Sequence, residues 1–295
     1  MRVNVGTGPD NWGVWFPEDD RQIPWKRYLD EVAETGYEWT ELGPFGYMPT
    51  DPVELEAELK KRNLKLEAGF VFGDMTDPDN FSNLEEATDK AGALTSALGA
   101  QFHLLIDIPY TDLFTGEQLR PSRLEGDAWK RFIETNHRLA QILKDRYNLT
   151  AVHHPHAETH VEYEDQIEKF LEDTDPSLMS ICLDTGHHKY RGGDPVDFMR
   201  RHYDRVAYLH IKSVDGELQE RVEKEGIPFA KAVEMDLFVE LNQGAVDFPA
   251  FVEVLKEVDY EGFAIVEQDL YPCPFDKPMP IAQRNRQYLR DVGLG

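Results

Sequence analysis

Short apolar runs alternate with longer amphipathic segments along the whole chain. The runs are five to nine residues long and rich in β-branched, aromatic or leucine side chains, a composition typical of buried strands. They predict eight strands, at residues 3–7, 37–43, 64–72, 101–108, 149–154, 178–184, 205–212 and 263–268.

The segments between these runs carry apolar residues at helical spacing. Prolines lie near several of their starts, where a missing backbone N–H costs little. They predict helices at residues 24–35, 52–62, 83–98, 126–147, 163–173, 195–203, 248–258 and 278–292. Eight strand–helix units in unbroken alternation favour a closed parallel sheet over an open one. The predicted fold is therefore α/β, an eight-stranded parallel (β/α)8 TIM barrel.

The segment 214–247 disturbs this alternation. It follows the seventh predicted strand, alternates charge at helical spacing in its front half, and ends in the turn-like sequence NQGAVDF. No linker rich in Pro, Gly or Ser divides the chain. We therefore expect one domain, residues 1–295, in which the insertion at 214–247 shapes the pocket. The alternative is a capping helix without ligand contact.

The chain is strongly acidic. It has 31 Lys and Arg against 56 Asp and Glu, a net charge of −25 and a pI of about 4.7. This charge disfavours nucleic acids and anionic membranes as partners. The N-terminus lacks the features of a secretory signal, and no apolar run reaches the roughly 18 residues of a membrane span. Cys182 and Cys273 have no metal-ligand spacing, and we expect a cytoplasmic protein.

Four successive predicted strands end in residues that can bind a metal ion. In chain order they are His154, Asp184, His210 and Glu267. A lone histidine at a strand end is usually hydrogen-bonded structure, and Asp184 alone could cap the turn that follows it. The carboxyl ends of barrel strands, however, meet at one mouth, where four such donors suit a divalent metal ion.

Several motifs resemble a known family. They are NWGVWFPEDD, TELGPFGYMPTDP, HHPHAETHVE, CLDTGHHKYRGGDP, LHIKSVD, GAVDF and VEQD, spread from residue 11 to residue 269. The chain resembles the xylose-isomerase-like TIM barrel superfamily of sugar isomerases and epimerases, and within it the inosose dehydratase group. The resemblance implies a divalent metal, Mn²⁺ first and otherwise Co²⁺, Mg²⁺ or Zn²⁺. Its implied ligands are His154, Asp184, His210 and Glu267.

His154 departs from the epimerase branch of the superfamily, which has a glutamate before the proline at this position. Two carboxylates instead of three leave the ligand set of a divalent ion formally neutral instead of −1. A less neutralised ion is a stronger Lewis acid toward a ketone or an enediolate. The exchange therefore favours elimination over epimerisation.

The resemblance implies removal of a proton next to a carbonyl and, in the dehydratase branch, loss of a β-leaving group. This chemistry needs a base near the α-carbon and an acid near the departing oxygen. Lys212, two residues after His210, should face the mouth, and with His187 it forms the expected acid/base pair. An ion pair with a carboxylate is the alternative for Lys212. Glu41, at the second strand, resembles an acidic residue near the substrate and completes the catalytic set.

Five further residues are expected to bind substrate: His156, Glu158, Asn11, Trp12 and Arg191. His156 and Glu158 follow His154 at a period of two, and Arg191 precedes two glycines in a loop that can approach a ligand. For Trp12, a place in the hydrophobic core is the alternative to the substrate pocket. His153 and His188 are expected to point away from the site and serve packing.

These expectations describe a metal-dependent carbon–oxygen lyase that acts on a keto-cyclitol or keto-sugar. An inosose, and hence inositol catabolism, comes first, with 3-keto-glycosides and 3-keto-anhydrosugars as rivals. The sequence VELNQGAVDF lacks the Gly-Glu-Gly turn associated with inosose dehydratases, which keeps the rivals open. The runner-up is a metal-dependent isomerase or epimerase that acts through an enediolate. A non-catalytic sugar-binding module is the non-enzyme alternative, and homo-oligomerisation is compatible with all of these.

Overall fold

A closed parallel barrel forms the centre of the computed structural model, which describes all 295 residues. The chain has eleven strands, of which all but β9 and β10 belong to the barrel. They are β1 (Arg2–Thr7), β2 (Trp39–Thr40), β3 (Lys65–Leu66), β4 (Ala68–Gly73), β5 (Phe102–Asp107), β6 (Thr150–His153), β7 (Ser180–Asp184), β8 (Val206–Ile211), β9 (Ser213–Val214), β10 (Phe238–Val239) and β11 (Glu261–Val266). The order around the barrel is β3, β2, β1, β11, β8, β7, β6, β5 and β4.

Glu67 closes the barrel. It lies between β3 and β4, which are the two ends of the sheet but parts of one predicted strand. Its N–H donates to the carbonyl of Thr40 on one side, and its carbonyl accepts from the N–H of Gln101 on the other. The nine segments therefore act as eight strands, and the predicted TIM barrel is confirmed.

Eleven α-helices accompany the strands. They are α1 (Trp25–Thr35), α2 (Pro52–Lys60), α3 (Phe81–Ala97), α4 (Gly126–Tyr147), α5 (Glu164–Asp173), α6 (Thr185–Tyr190), α7 (Pro195–His202), α8 (Gly216–Glu225), α9 (Phe229–Glu234), α10 (Phe248–Glu257) and α11 (Pro278–Asp291). All except α6, α8 and α9 match predicted helices, with ends that differ by at most two residues. None of the eleven combines the length and the apolar character that crossing a membrane requires.

Local sequence explains several of the helix starts. Asp51 and Asp194 each precede a proline, and each carboxylate accepts hydrogen bonds from two backbone N–H groups of the first helical turn. This arrangement satisfies N–H groups that have no partner within the helix. The missing N–H of the proline costs little at the first helical position, where an N–H would have no such partner. The Asp-Pro pairs therefore begin α2 and α7.

Buried side chains form three separate hydrophobic clusters. The main cluster of 55 residues includes side chains of both the strands and the surrounding helices. A smaller cluster of seven residues includes Leu104, Val152 and Tyr208, at alternate inward positions of their strands. The third cluster belongs largely to the insertion, and its nine buried residues are Ala157, Tyr190, Val214, Val222, Phe229, Ala232, Val233, Leu237 and Phe238.

The insertion at 214–247 is a folded unit rather than a single capping helix. It contains α8 and α9, and its strand β10 pairs antiparallel with β9. The backbone N–H of Ala230 donates to the carbonyl of Leu113, which ties α9 to the loop after β5. The cluster that includes Phe229 and Phe238, called the mouth core below, gives this unit a hydrophobic interior of its own.

Candidate functional site

The four predicted metal ligands converge at the carboxyl ends of the barrel strands. His154 directly follows β6, Asp184 ends β7, His210 lies in β8 and Glu267 directly follows β11. Each of the four residues is at most 6% exposed. One donor atom from each lies within 4.8 Å of the donor atoms of the other three. The parallel barrel therefore assembles this group from residues that are up to 113 positions apart, 267 minus 154.

The spacing of these donor atoms suits a single ion. His210 Nδ1 lies 2.9 Å from His154 Nε2 and 2.9 Å from Glu267 Oε2. Asp184 Oδ2 lies 3.7 Å from each of these two ring nitrogens and is buried without a hydrogen bond, with the Lys212 ammonium as its ion-pair partner at 3.1 Å. Donors at about 2.0–2.2 Å from one divalent ion are about 3–3.5 Å apart. The two imidazoles and two carboxylates therefore fit a divalent metal ion.

The two carboxylates of this group are ionised. Burial alone would raise the pKa of Asp184, but the Lys212 ammonium holds that pKa well below its usual value. Burial also opposes ionisation of Glu267, whose pKa His210 and Lys212 nevertheless lower to about 2. Both side chains therefore present negative charge to a cation at neutral pH.

Glu41 lies behind His210 and orients it. His210 Nε2 donates to Glu41 Oε1 at 3.0 Å, and the hydroxyl of Tyr208 donates to the same oxygen at 2.9 Å. A histidine that donates one ring N–H to a carboxylate presents its other ring nitrogen to a metal. Glu41 therefore directs Nδ1 of His210 toward the donor group. Its predicted contact with substrate stays a prediction.

Lys212 and His187 lie side by side next to this group. Their Nζ and Nε2 atoms are 3.2 Å apart. Lys212 Nζ also lies 2.9 Å from Glu267 Oε2 and 3.1 Å from Asp184 Oδ2. β8 ends at Ile211, but Lys212 still points in the direction that its spacing from His210 predicts. The expected ion pair is thus present, and the ammonium is also within reach of His187.

Asp184 brings His187 to the site through α6. Asp184 Oδ1 accepts the backbone N–H groups of Gly186 and His187, and it thereby caps the helix that begins at Thr185. The sequence DTGHH predicts only a turn here, because a six-residue helix shows no periodic pattern. A Cβ atom on Gly186 would lie 2.5 Å from Cγ of Lys212, so the glycine makes room for the lysine stem.

Two acidic residues at the mouth were not predicted from the sequence. Asp269 is 6% exposed, and its Oδ1 lies 3.1 Å from Lys212 Nζ. Asp10 follows β1, and one oxygen of each of these carboxylates is buried without a hydrogen bond. Burial raises the pKa of both groups, that of Asp269 to about 6. Asp269 follows Glu267 by two positions, so the spacing argument used for Lys212 would have identified it.

Aromatic rings form one side of the site. His156 packs on His187 with 3.9 Å between ring centroids, and Phe229 of the insertion lies 5.9 Å from His156. Phe238, also from the insertion, lies 5.2 Å from His187. Burial lowers the pKa of His156 to about 3 and that of His187 well below its usual value, so both rings are neutral at pH 7.

Glu158 and Arg191, two of the predicted substrate contacts, bind each other. Arg191 Nη2 lies 2.6 Å from Glu158 Oε1, and Arg191 Nε donates to Glu162. Glu158 has a φ of 65°, so the extended pattern that links His154 and His156 ends before it. Two carboxylates compensate this guanidinium, and contact of either residue with substrate stays a prediction.

Asn11 and Trp12 lie in different environments. Asn11 donates to the hydroxyl of Thr7, and its side-chain oxygen is buried without a partner. Trp12 belongs to the main core, where its indole donates to Glu31 and packs edge-on against Tyr28. The structure therefore places Trp12 in the core, which was the alternative location expected from the sequence.

The other histidines of HHPHAETH and DTGHH stabilise the surrounding structure. His153 bonds Asn136 at 3.0 Å and packs 4.4 Å from Phe170, and His188 lies 3.0 Å from Glu164. His160 is buried beside Asp107, to which its Nδ1 is hydrogen-bonded. The packing role expected for His153 and His188 therefore agrees with their contacts.

A parallel barrel with a buried group of potential metal ligands at the carboxyl ends of its strands is typical of an enzyme of the TIM-barrel class. Residues 29–292 match the family model described as xylose isomerase-like TIM barrel, and the chain belongs to this family. The inosose dehydratase of Geobacillus kaustophilus is 31% identical over 303 aligned positions, which cover 97% of this chain and 93% of the relative. The resemblance to the inosose dehydratase group is thus confirmed, and it supports a dehydratase, or lyase, function.

Solved structures agree on the fold. A probable 3-DHS dehydratase, AsbF of Bacillus anthracis, superposes with a TM-score of 0.74 at 16% identity, over 98% of this chain and 99% of the other. A D-allulose 3-epimerase of Methylomonas sp. gives a TM-score of 0.73 at 15% identity, over 99% and 98%. At these identities the likeness concerns the fold and not the reaction.

Proposed function

We propose that the protein is a divalent-metal-dependent carbon–oxygen lyase that eliminates water, or another β-leaving group, from a keto-cyclitol or keto-sugar. The supporting observation is the group formed by His154, Asp184, His210 and Glu267 beside a buried lysine–histidine pair. The 31% identity to an inosose dehydratase over 97% of this chain makes an inosose the first substrate to test. Mn²⁺ is the first metal to test, since the mixed nitrogen and oxygen donors suit a hard or borderline ion.

A divalent ion held by these four residues would polarise the substrate carbonyl and stabilise negative charge on its oxygen. The remaining demands fall on Lys212 and His187, whose nitrogens are 3.2 Å apart. One of them accepts the proton from the α-carbon, and the other gives a proton to the departing oxygen, so that the leaving group departs as water or an alcohol. The pair ends the reaction with the same number of protons with which it began.

The charges around the site favour an uncharged substrate. Glu267, Asp269 and Asp10 lie at the mouth, and their carboxylate oxygens approach to within 4.8 Å of one another. The cations nearby, Lys212 and Arg191, are already paired with carboxylates. A phosphorylated sugar would therefore meet repulsion, whereas the hydroxyl groups of a polyol can donate to the unpaired carboxylate oxygens.

Metal analysis tests the centre directly. The protein is stripped with a chelator, reloaded with Mn²⁺, desalted and analysed for bound metal. We expect near-stoichiometric metal in the wild type and in a His202→Ala control, and little in His154→Ala or Glu267→Ala. His202 is a fair control because it lies on α7 and pairs with Glu168. Equally low metal in all four proteins would contradict the proposal.

Product analysis tests the reaction. The Mn²⁺-loaded protein is incubated with 2-keto-inositol and with 3-keto-glucosides, and the absorbance of an unsaturated ketone is followed, with the His154→Ala variant as the blank. The lyase proposal fails if no substrate gives this absorbance. Deuterium uptake from solvent at the α-carbon without elimination would instead identify the isomerase or epimerase alternative.

A further inference from the structure

Lys212 is the only lysine or arginine among the buried residues of the chain. Its Nζ lies within 3.1 Å of an oxygen on each of three carboxylates, those of Glu267, Asp184 and Asp269. A buried ammonium is stable only where nearby negative charge replaces its lost hydration. The three carboxylates around Lys212 supply this negative charge.

Two of the three carboxylates have a second task. Asp184 Oδ2 and Glu267 Oε2 are the oxygens that lie closest to His210 Nδ1 within the metal-donor group. A metal ion at this group and the Lys212 ammonium would therefore share the same two oxygens. Asp269 does not belong to the four-residue group, so it is the carboxylate whose charge remains available to Lys212.

The packing holds the ammonium where it is. Gly186 leaves only enough room for the lysine stem, since a Cβ there would come within 2.5 Å of Lys212 Cγ. The ring of Phe238 also lies close to the ammonium, with its centroid 5.1 Å from Nζ. Lys212 is thus confined beside the metal donors, and its positive charge, which opposes a divalent ion, has to be offset in place.

We propose that Asp269 is a positioning residue that compensates the Lys212 ammonium beside the metal centre, so that the Lys212–Asp269 pair sets the affinity of the centre for its divalent ion. The proposal rests on the metal centre of the proposed function but is independent of the substrate. It predicts that the effect of removing Asp269 depends on whether Lys212 is present.

Calorimetric titration of the chelator-stripped protein with Mn²⁺ tests this dependence in four proteins: wild type, Asp269→Asn, Lys212→Met and the double variant. Asp269→Asn should weaken Mn²⁺ binding by about tenfold or more, because it leaves an ammonium uncompensated near the ion. Lys212→Met should bind at least as tightly as the wild type. The double variant should return to within about threefold of wild-type affinity. The effects of the two substitutions on affinity would then not add, because the loss caused by Asp269→Asn requires the Lys212 ammonium.

Each outcome decides the matter. If the double variant binds as weakly as Asp269→Asn, or if Asp269→Asn binds like the wild type, the role of Asp269 is refuted while the metal centre stands. If the wild type itself binds no Mn²⁺, the proposed function fails together with this inference. Circular dichroism and thermal melting check folding. If Asp269→Asn does not fold, the Mn²⁺ affinity of Lys212→Met is compared with that of the wild type. Equal or tighter binding supports the proposal, and weaker binding overturns it.

Discussion

Glu67 combines a backbone role with an unfavourable side-chain environment. Its main chain closes the barrel, but its carboxyl group is buried, and neither oxygen has a hydrogen-bond partner. Burial, together with the nearby charge of Glu41, raises the pKa of Glu67 to about 9. The group therefore keeps its proton in the folded protein at neutral pH, whereas an unfolded chain releases it.

We predict that Glu67→Gln raises stability in a pH-dependent way. The folded-state pKa lies above the unfolded value of 4.5, so the free energy of unfolding falls as pH rises between these values. Glu67 contributes up to about 1.4 kcal/mol per pH unit to this decline. Glutamine has no such proton, so urea unfolding should show little gain at pH 5 and a clear gain at pH 8. An equal gain at both pH values would mean that Glu67 is ionised in the folded state.

Lys212 can be tested separately as an acid or base. If it moves a proton in the reaction, Lys212→Met should lower kcat by about 10²- to 10⁴-fold, the usual range for such a group, while the protein still carries metal. Steady-state kinetics on the best keto-substrate, with metal content measured in the same sample, make the comparison. A kcat within a few fold of wild type would leave Lys212 as an ion-pairing residue only.

At the scale of the elements, Asp184 lies at the junction between β7 and α6, where it both caps a helix and belongs to the metal-donor group. Asp184 uses Oδ1 to cap α6 and has Oδ2 among the metal donors. The carboxylate therefore fixes the position of His187 as well as contributing charge to the site. A substitution can separate these tasks because asparagine retains an oxygen that caps a helix.

We predict that Asp184→Asn and Asp184→Ala both lose metal but differ in stability. Asparagine keeps an acceptor for the N–H groups of Gly186 and His187, and alanine does not, so the alanine variant should be less stable by about 1 kcal/mol. Thermal melting of the two metal-free variants measures this difference. Identical melting curves would show that the cap does not stabilise α6.

Most of the elements could be predicted from the sequence. Short apolar runs and segments with apolar residues at helical spacing located all eight strand–helix units, because both patterns are local. The barrel itself followed from their order, and His154, Asp184, His210 and Glu267 followed from their places at strand ends. Local patterns did not reveal the break at Glu67, where the chain passes from pairing with one neighbour to pairing with the other.

Long-range pairing explains the remaining differences. The ion pair of Arg191 with Glu158 was not predicted, because Glu158 lies on another loop, 33 positions earlier in the chain. For Trp12 the sequence left the pocket and the core open, and only its partner Glu31 on α1 shows that it lies in the core. Such contacts depend on the packing of elements, which spacing along the sequence does not encode. Asp269 was missed for a different reason, since the period-two rule applied to Lys212 also covers it.

At the scale of the whole molecule, the separate mouth core predicts uneven stability. It contains nine buried residues, against 55 in the main core, and α8 contributes only Val222 to it. Segments with few buried contacts open locally at a lower free energy than the global unfolding. We predict that hydrogen–deuterium exchange is faster in α8 than in β7, as measured by mass spectrometry of peptides from both. Equal protection would mean that the two cores unfold together.

The division between the two cores has a consequence for descent. The donors of the metal centre lie at the ends of strands whose apolar neighbours belong to the barrel, whereas Phe229 and Phe238 belong to the insertion. Substitutions in the insertion can therefore change the Phe229 and Phe238 rings beside His156 and His187, while the apolar neighbours of the metal donors stay the same. Under the proposed function, descendants that keep the four metal donors and vary these two rings would keep the reaction and change its substrate.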